Sequence, residues 1–113
     1  MTTMASIFNR IIRREIPAKV FYEDDDCIVI ADHRPKDRVH LLIIPKTETP
    51  SFFEAPPEVL AMLDEKTKLV ARRLGLENHF RIQINNGYGQ EIPHLHYHFL
   101  SNEGSERVHF VEE

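Results

Sequence analysis

The spacing of apolar residues along this chain switches between the helical and the strand period, and each switch predicts an element. Ile7, Phe8, Ile11 and Ile12 recur at helical spacing behind Ser6, a good N-cap residue, and predict a short helix that Pro17 ends. Asn9, Arg10, Arg13, Arg14 and Glu15 fall mostly on its other face. Val20-Phe21-Tyr22-Glu23 and Cys27-Ile28-Val29-Ile30-Ala31 are strand-like runs on either side of Asp24-Asp25-Asp26. That arrangement predicts a hairpin with a solvated acidic turn. Residues 39–44 are apolar except for His40 and are stopped by Pro45, which predicts a central strand covered on both faces.

A proline-rich loop then leads to a long helix over residues 58–74. Leu60, Leu63, Thr67, Val70 and Leu74 form its apolar stripe, Pro57 suits its first turn and Gly75 the position just past its end. Arg72 and Arg73 sit in the last turn, where the helix dipole favours cations. Residues 80–85 alternate as a half-buried strand, and Asn86-Gly87-Tyr88-Gly89-Gln90 turns the chain toward the next strand, antiparallel to it. That strand contains His94-Leu95-His96-Tyr97-His98-Phe99-Leu100. At strand period its three imidazoles share one face, while Leu95, Tyr97 and Phe99 pack behind. Val108-His109-Phe110-Val111 is read as a last short strand or as a tail laid on a partner.

The 113 residues suit one domain with one modest core, so residues 1–113 are read as a single domain, 1–5 a disordered N-terminus and 101–113 a C-terminal tail. A net charge of −4 offers no basic footprint for nucleic acid or for an anionic membrane surface. The single cysteine, Cys27, excludes an internal disulfide and a cysteine-built zinc site, and it fits a reducing compartment. With no membrane-length apolar run and no signal-peptide pattern in Met1-Thr2-Thr3-Met4-Ala5, the expected location is cytoplasmic.

Three histidines in register admit two chemistries beside mere exposure on a strand face. Zinc is one: His-x-His on a strand is half a site, and His40 or His98 would add a third ligand. The preferred reading is covalent catalysis at phosphorus. A neutral imidazole is nucleophilic near neutral pH and leaves well from a phosphoryl adduct. Adjacent imidazolium charges repel, so one of the three should be neutral, and His96, between two neighbours, is the natural nucleophile. Backbone N–H groups from Gly89 to Glu91 would stabilise charge on the phosphate oxygens.

His94-Leu95-His96-Tyr97-His98-Phe99-Leu100 resembles the signature of the histidine triad family, His-φ-His-φ-His-φ-φ, at every position. Ile7-Phe8-Asn9-Arg10-Ile11-Ile12-Arg13-Arg14-Glu15-Ile16-Pro17-Ala18-Lys19 with Tyr22-Glu23-Asp24-Asp25 is similar to the opening of its nucleotide-binding branch. Val39-His40-Leu41-Leu42-Ile43-Ile44-Pro45-Lys46 resembles the strand that carries that family's fourth histidine.

The resemblance implies an α+β fold with a five-stranded antiparallel sheet, a short N-terminal and a long helix, and a homodimer whose sheets join. It implies cleavage at the α-phosphate of purine nucleotide derivatives (AMP or GMP conjugates, phosphoramidates among them) with no metal and no cofactor. His96 would take up the nucleotidyl group, and His98, His94 and His40 would line the phosphate site with Asn85, Gln90 and Glu91. Asp32 would hold the ribose hydroxyls, which a carboxylate can accept in bidentate fashion. Ile7, Phe8, Ile11, Ile30 and His33 would form the purine pocket, although the pattern alone makes Ile7, Phe8 and Ile11 core residues. The chain departs from the family at its short turn over residues 86–89, at Glu91 in place of a serine, at His33 in place of an apolar residue, and in a tail lacking Gly-Gly and Trp. A purine-nucleotide-binding module with little turnover, acting through protein partners, is the alternative from another functional class.

Overall fold

A computed structural model describes residues 6–111; the expected disordered segment at residues 1–5 lies outside the described residues. Five strands form one sheet in the order β1-β2-β3-β5-β4, every neighbouring pair antiparallel. They are β1 (Val20–Glu23), β2 (Cys27–Ala31), β3 (Val39–Pro45), β4 (Arg81–Gln83) and β5 (Tyr97–Ser101), with helices α1 (Ile7–Ile12) and α2 (Pro57–Leu74). This is the α+β architecture the sequence predicts. None of the described helices is long and apolar enough to cross a membrane.

The alternation of side chains divides the core into two layers. Cys27, Val29, Val39, Leu41, Ile43, Tyr97 and Phe99 face α2 and meet Leu63, Val70 and Leu74 from its apolar stripe. On the opposite face Ile28, Ile30, Leu42 and Ile44 meet Phe8 and Ile11 of α1. β3 is buried at all seven positions, as its unbroken apolar run requires. Cys27 is fully buried, and that burial pushes its thiol up to about 12, which removes it from thiolate chemistry. Gly75 closes α2 at φ +65°, where a Cβ would come within 2.5 Å of the Arg107 guanidinium; Arg107 itself donates to the Leu74 carbonyl.

Several boundaries differ from the sequence expectation. α1 ends at Ile12, well before Pro17, because Arg14 turns left-handed at φ +65° and its side chain pairs with Glu23 on β1. β4 is shorter than residues 80–85, and a long connection, not a tight hairpin, joins it to β5. β5 starts only at Tyr97, so His94 and His96 precede the strand. Pro93 has no N–H to offer a ladder, the His94 N–H turns back to the Ile92 carbonyl, and the Leu95 N–H bonds to the Thr49 carbonyl. The segment after Ser101 forms a 3-10 turn over Ser105–Arg107, and its end returns to its own chain: the Val111 N–H bonds to the Val20 carbonyl.

Candidate active site

β3 and β5 bring His40 and His98 together by register. His40 pairs with Leu100 and Leu42 with His98, so the two imidazoles are diagonal neighbours on the α1 side of the sheet. His98 Nδ1 lies 2.9 Å from His40 Nε2, which also lies 3.3 Å from Asp32 Oδ2. The direction of this chain follows from its far end. The Lys36 N–H donates to His40 Nδ1 at 3.0 Å, so the neutral ring carries its proton on Nε2 and donates onward to His98 Nδ1, with Asp32 as a second acceptor. His98 then carries its own proton on Nε2, a buried atom with no partner among the described residues.

The other two histidines are held by carbonyls. His94 is fully buried, its Nε2–H donating to the Pro45 carbonyl at 2.8 Å and its Nδ1 lying 3.2 Å from Ser6 Oγ. His96 donates Nδ1–H to the His94 carbonyl at 2.8 Å, which leaves the lone pair on Nε2. Its ring stands edge-on to His98 at 4.8 Å and to Phe8 at 5.0 Å. Successive histidines of the triad therefore differ in tautomer, each set by what its other nitrogen meets. With both nitrogens bound and no exposure, His94 acts within the scaffold of the site and does not join His40 and His98 at its surface.

All four imidazoles are held below their ordinary pKa, with burial as the first cause in each. His98 is lowest, brought to about 4 by burial and then by His96 and His40 beside it. Between these values and 6.5 the unfolded chain binds protons that the folded chain refuses, so stability is present above about 6.5 and declines as pH falls toward 4. The urea midpoint should accordingly be lower at about pH 5 than at about pH 7.5, and His98→Asn should narrow that gap. An equal midpoint at the two pH values would contradict the buried neutral histidines.

The remaining residues marked in the sequence are not all gathered here. Phe8 is buried against the His94 and His96 rings, Ile11 and Ile30 are buried with it in the layer under α1, Ile7 is 44% exposed and His33 is exposed. Asp32 is half-buried and accepts the Arg34 N–H as well as facing His40. Gln90 spends its side chain inside the loop, donating to the Pro50 and Ile92 carbonyls and accepting the Gly87 N–H. It braces the turn and does not reach the imidazoles. Glu91 is exposed. Asn85 accepts from Gln83 and lies against Gly89, which adopts φ +78°. Sequence reasoning did not find the Pro45 carbonyl, the Lys36 N–H or the second use of Ser6, since backbone groups carry no residue signature.

Asp32, His40 and His98 offer donor atoms within 4.8 Å of one another, a set whose types suit zinc. Their spacing does not. Two nitrogens on one tetrahedral zinc stand roughly 3.3 Å apart, whereas 2.9 Å between His40 and His98 is a hydrogen bond with a proton in it.

Comparison with known proteins completes the picture. A protein from Synechocystis described as an uncharacterized HIT-like protein is 48% identical over 100 residues, covering 84% of this chain and 88% of that one. A Brassica juncea protein named 14 kDa zinc-binding protein is 39% identical over 102 residues, covering 84% of this chain and 90% of its own. Among solved structures, a HIT family hydrolase from Legionella pneumophila superposes with a TM-score of 0.82 at 33% identity, over 88% of this chain and 94% of that one. The HIT domain model matches residues 13–105. With the histidine row leading into β5 and the fourth histidine on β3 inside that match, the chain belongs to the histidine triad, or HIT, family.

Proposed function

We propose that the chain is a hydrolase that cleaves at the α-phosphate of purine nucleoside 5′-phosphoramidates, or related nucleotidyl conjugates, through a nucleotidyl-His96 intermediate. One observation carries this reading: His96 keeps its lone pair on Nε2 while, 4.8 Å away by ring centre, His98 holds a buried and unpartnered N–H. A nucleophile beside a donor for phosphate oxygens is what in-line displacement needs. His96 Nε2 forms a bond to phosphorus as the bond to the leaving group breaks, and the leaving group departs with a proton taken from solvent, which the attacking water gives back in the second step. Water then attacks phosphorus, the bond to His96 breaks, and the imidazole returns to its neutral form.

Around that centre His98 would bind a non-bridging oxygen, with His40 and Asp32 fixing its tautomer from behind. Asn85 and the backbone of the turn before Ile92 would receive the phosphate, Gln90 acting as brace and Glu91 at the leaving-group side. Asp32 would also accept ribose hydroxyls, and Phe8, Ile11 and Ile30, with Ile7 and His33, would meet the purine. A second copy would join at β4, whose outer edge is the end of the sheet and whose Arg81 and Gln83 are exposed. Sedimentation at twice the monomer mass checks that point.

Incubation with adenosine 5′-phosphoramidate should release AMP, and rapid quenching followed by mass spectrometry should find an AMP adduct on His96. AMP binding without release makes the chain a nucleotide-binding module. Turnover should survive chelator treatment, as the hydrogen-bonded spacing of His40 and His98 requires; loss of turnover on chelation, restored by zinc, would overturn the metal-free route.

A further inference from the structure

A single hydroxyl joins the N-terminal helix to the histidine row. Ser6 Oγ accepts the Asn9 N–H at 3.2 Å and so caps α1. The same oxygen lies 3.2 Å from His94 Nδ1. The Pro45 carbonyl on the far side of the His94 ring can only accept, so Nε2 carries the ring proton and Nδ1 must accept in turn. Ser6 therefore uses a lone pair for the helix and its proton for the histidine.

His94 passes the constraint on through its backbone. Its carbonyl is the acceptor that fixes His96 as the Nδ1–H tautomer. Phe8, two residues beyond Ser6 on the same helix, packs edge-on against both rings, at 5.8 Å from His94 and 5.0 Å from His96. The seat of α1, the tautomer of His94 and the direction of the His96 lone pair are thus linked in one chain of contacts.

We propose that Ser6 is a positioning residue for His96: its hydroxyl locks His94 as the Nε2–H tautomer, and the seated His94 carbonyl then keeps the His96 Nε2 lone pair directed at the substrate. The inference rests on the reading of His96 as nucleophile. It differs from simple helix capping in one respect that can be measured. A cap needs only an acceptor, whereas His94 needs a donor.

Three variants separate the roles. Ser6→Thr retains donor and acceptor, Ser6→Asp caps the helix but has no proton to give, and Ser6→Ala removes both. Long-range proton–nitrogen NMR of the imidazoles should find His94 as Nε2–H and His96 as Nδ1–H in the unaltered chain and in Ser6→Thr. In Ser6→Asp, His94 should become Nδ1–H or doubly protonated, and His96 should show a mixture of tautomers. On adenosine 5′-phosphoramidate, Ser6→Asp and Ser6→Ala should lose roughly 10- to 100-fold in kcat with little change in KM, while Ser6→Thr stays within about threefold. Full activity in Ser6→Asp, or an unaltered chain with His94 as Nδ1–H, overturns the proposal. In a chain that shows no turnover at all, the hydrolase reading fails by itself. The His96 tautomer in Ser6→Asp still decides the role of Ser6, and an undisturbed Nδ1–H there counts against it.

Discussion

His96→Asn should lower kcat on adenosine 5′-phosphoramidate by roughly 10⁴-fold or more while AMP still binds, because removal of a covalent nucleophile eliminates the two-step route and not the pocket. Asparagine suits the test physically. It is polar and smaller than histidine, and its amide can still donate to the His94 carbonyl that His96 Nδ1 now meets. Phe8 and His98, which pack on the ring, lose an edge contact but remain held by their own elements. The adduct should vanish in the quenched reaction, and AMP affinity measured by calorimetry should change little. Retention of even a tenth of the activity would mean that water attacks the nucleotide directly and that His96 has another role.

The largest structural effect is expected at Phe99, the residue directly after His98. Its side chain is fully buried and stacks on Phe80 with ring centres 4.8 Å apart and planes 15° from parallel. Its backbone pairs with Leu41 on β3 and with Ile82 on β4, so the ring fills the layer between the sheet and α2 at the strand that carries His98. Phe99→Ala removes the apolar area and leaves a cavity that two flanking strands prevent from collapsing. A cost of about 3–5 kcal/mol follows, a large share of a typical domain's total of about 5–15 kcal/mol. Chemical unfolding should show the midpoint fall with little change in slope. A loss below about 1 kcal/mol would mean that Phe80 and α2 close the space, and that the β5 layer is softer than its packing implies.

Most of the framework was legible because period and burial are linked through the geometry of single elements. β2 and β3 were read from β-rich apolar runs, and both occur where those runs lie. The stripe of α2 was read at Leu60, Leu63, Thr67, Val70 and Leu74; the last four are buried and Leu60 is half-buried. Strand ends were less legible. Alternation through His94-Leu95-His96-Tyr97-His98 resembles a strand from its first residue, and burial even follows it, with Leu95, Tyr97 and Phe99 on the α2 side. The ladder nevertheless begins at Tyr97, because hydrogen bonding to Thr49 and Ile92, remote or local, settles where pairing starts. Phe8 and Ile11 show a different limit: helical spacing marks a residue for burial without saying what it is buried against. Here Phe8 meets imidazole rings as well as aliphatic core. Gln90, marked for the phosphate, is committed to bracing its own loop.

What the sequence determined by itself was residue chemistry and one-dimensional order: four imidazoles without a thiolate partner, strands and helices of the right period, and the family signature that names their fold. Those follow from composition and from repeats within a few residues, where the covalent chain alone sets which side chains share a face. The tertiary structure decided which nitrogen of each histidine carries its proton. That choice depends on a carbonyl at Pro45 and a hydroxyl at Ser6, 49 and 88 residues from the His94 ring they meet, and on the Lys36 N–H, four residues from His40 but brought to its ring only by the course of the loop. A tautomer is fixed by whatever partner folding brings to the opposite nitrogen, and no local pattern encodes that partner.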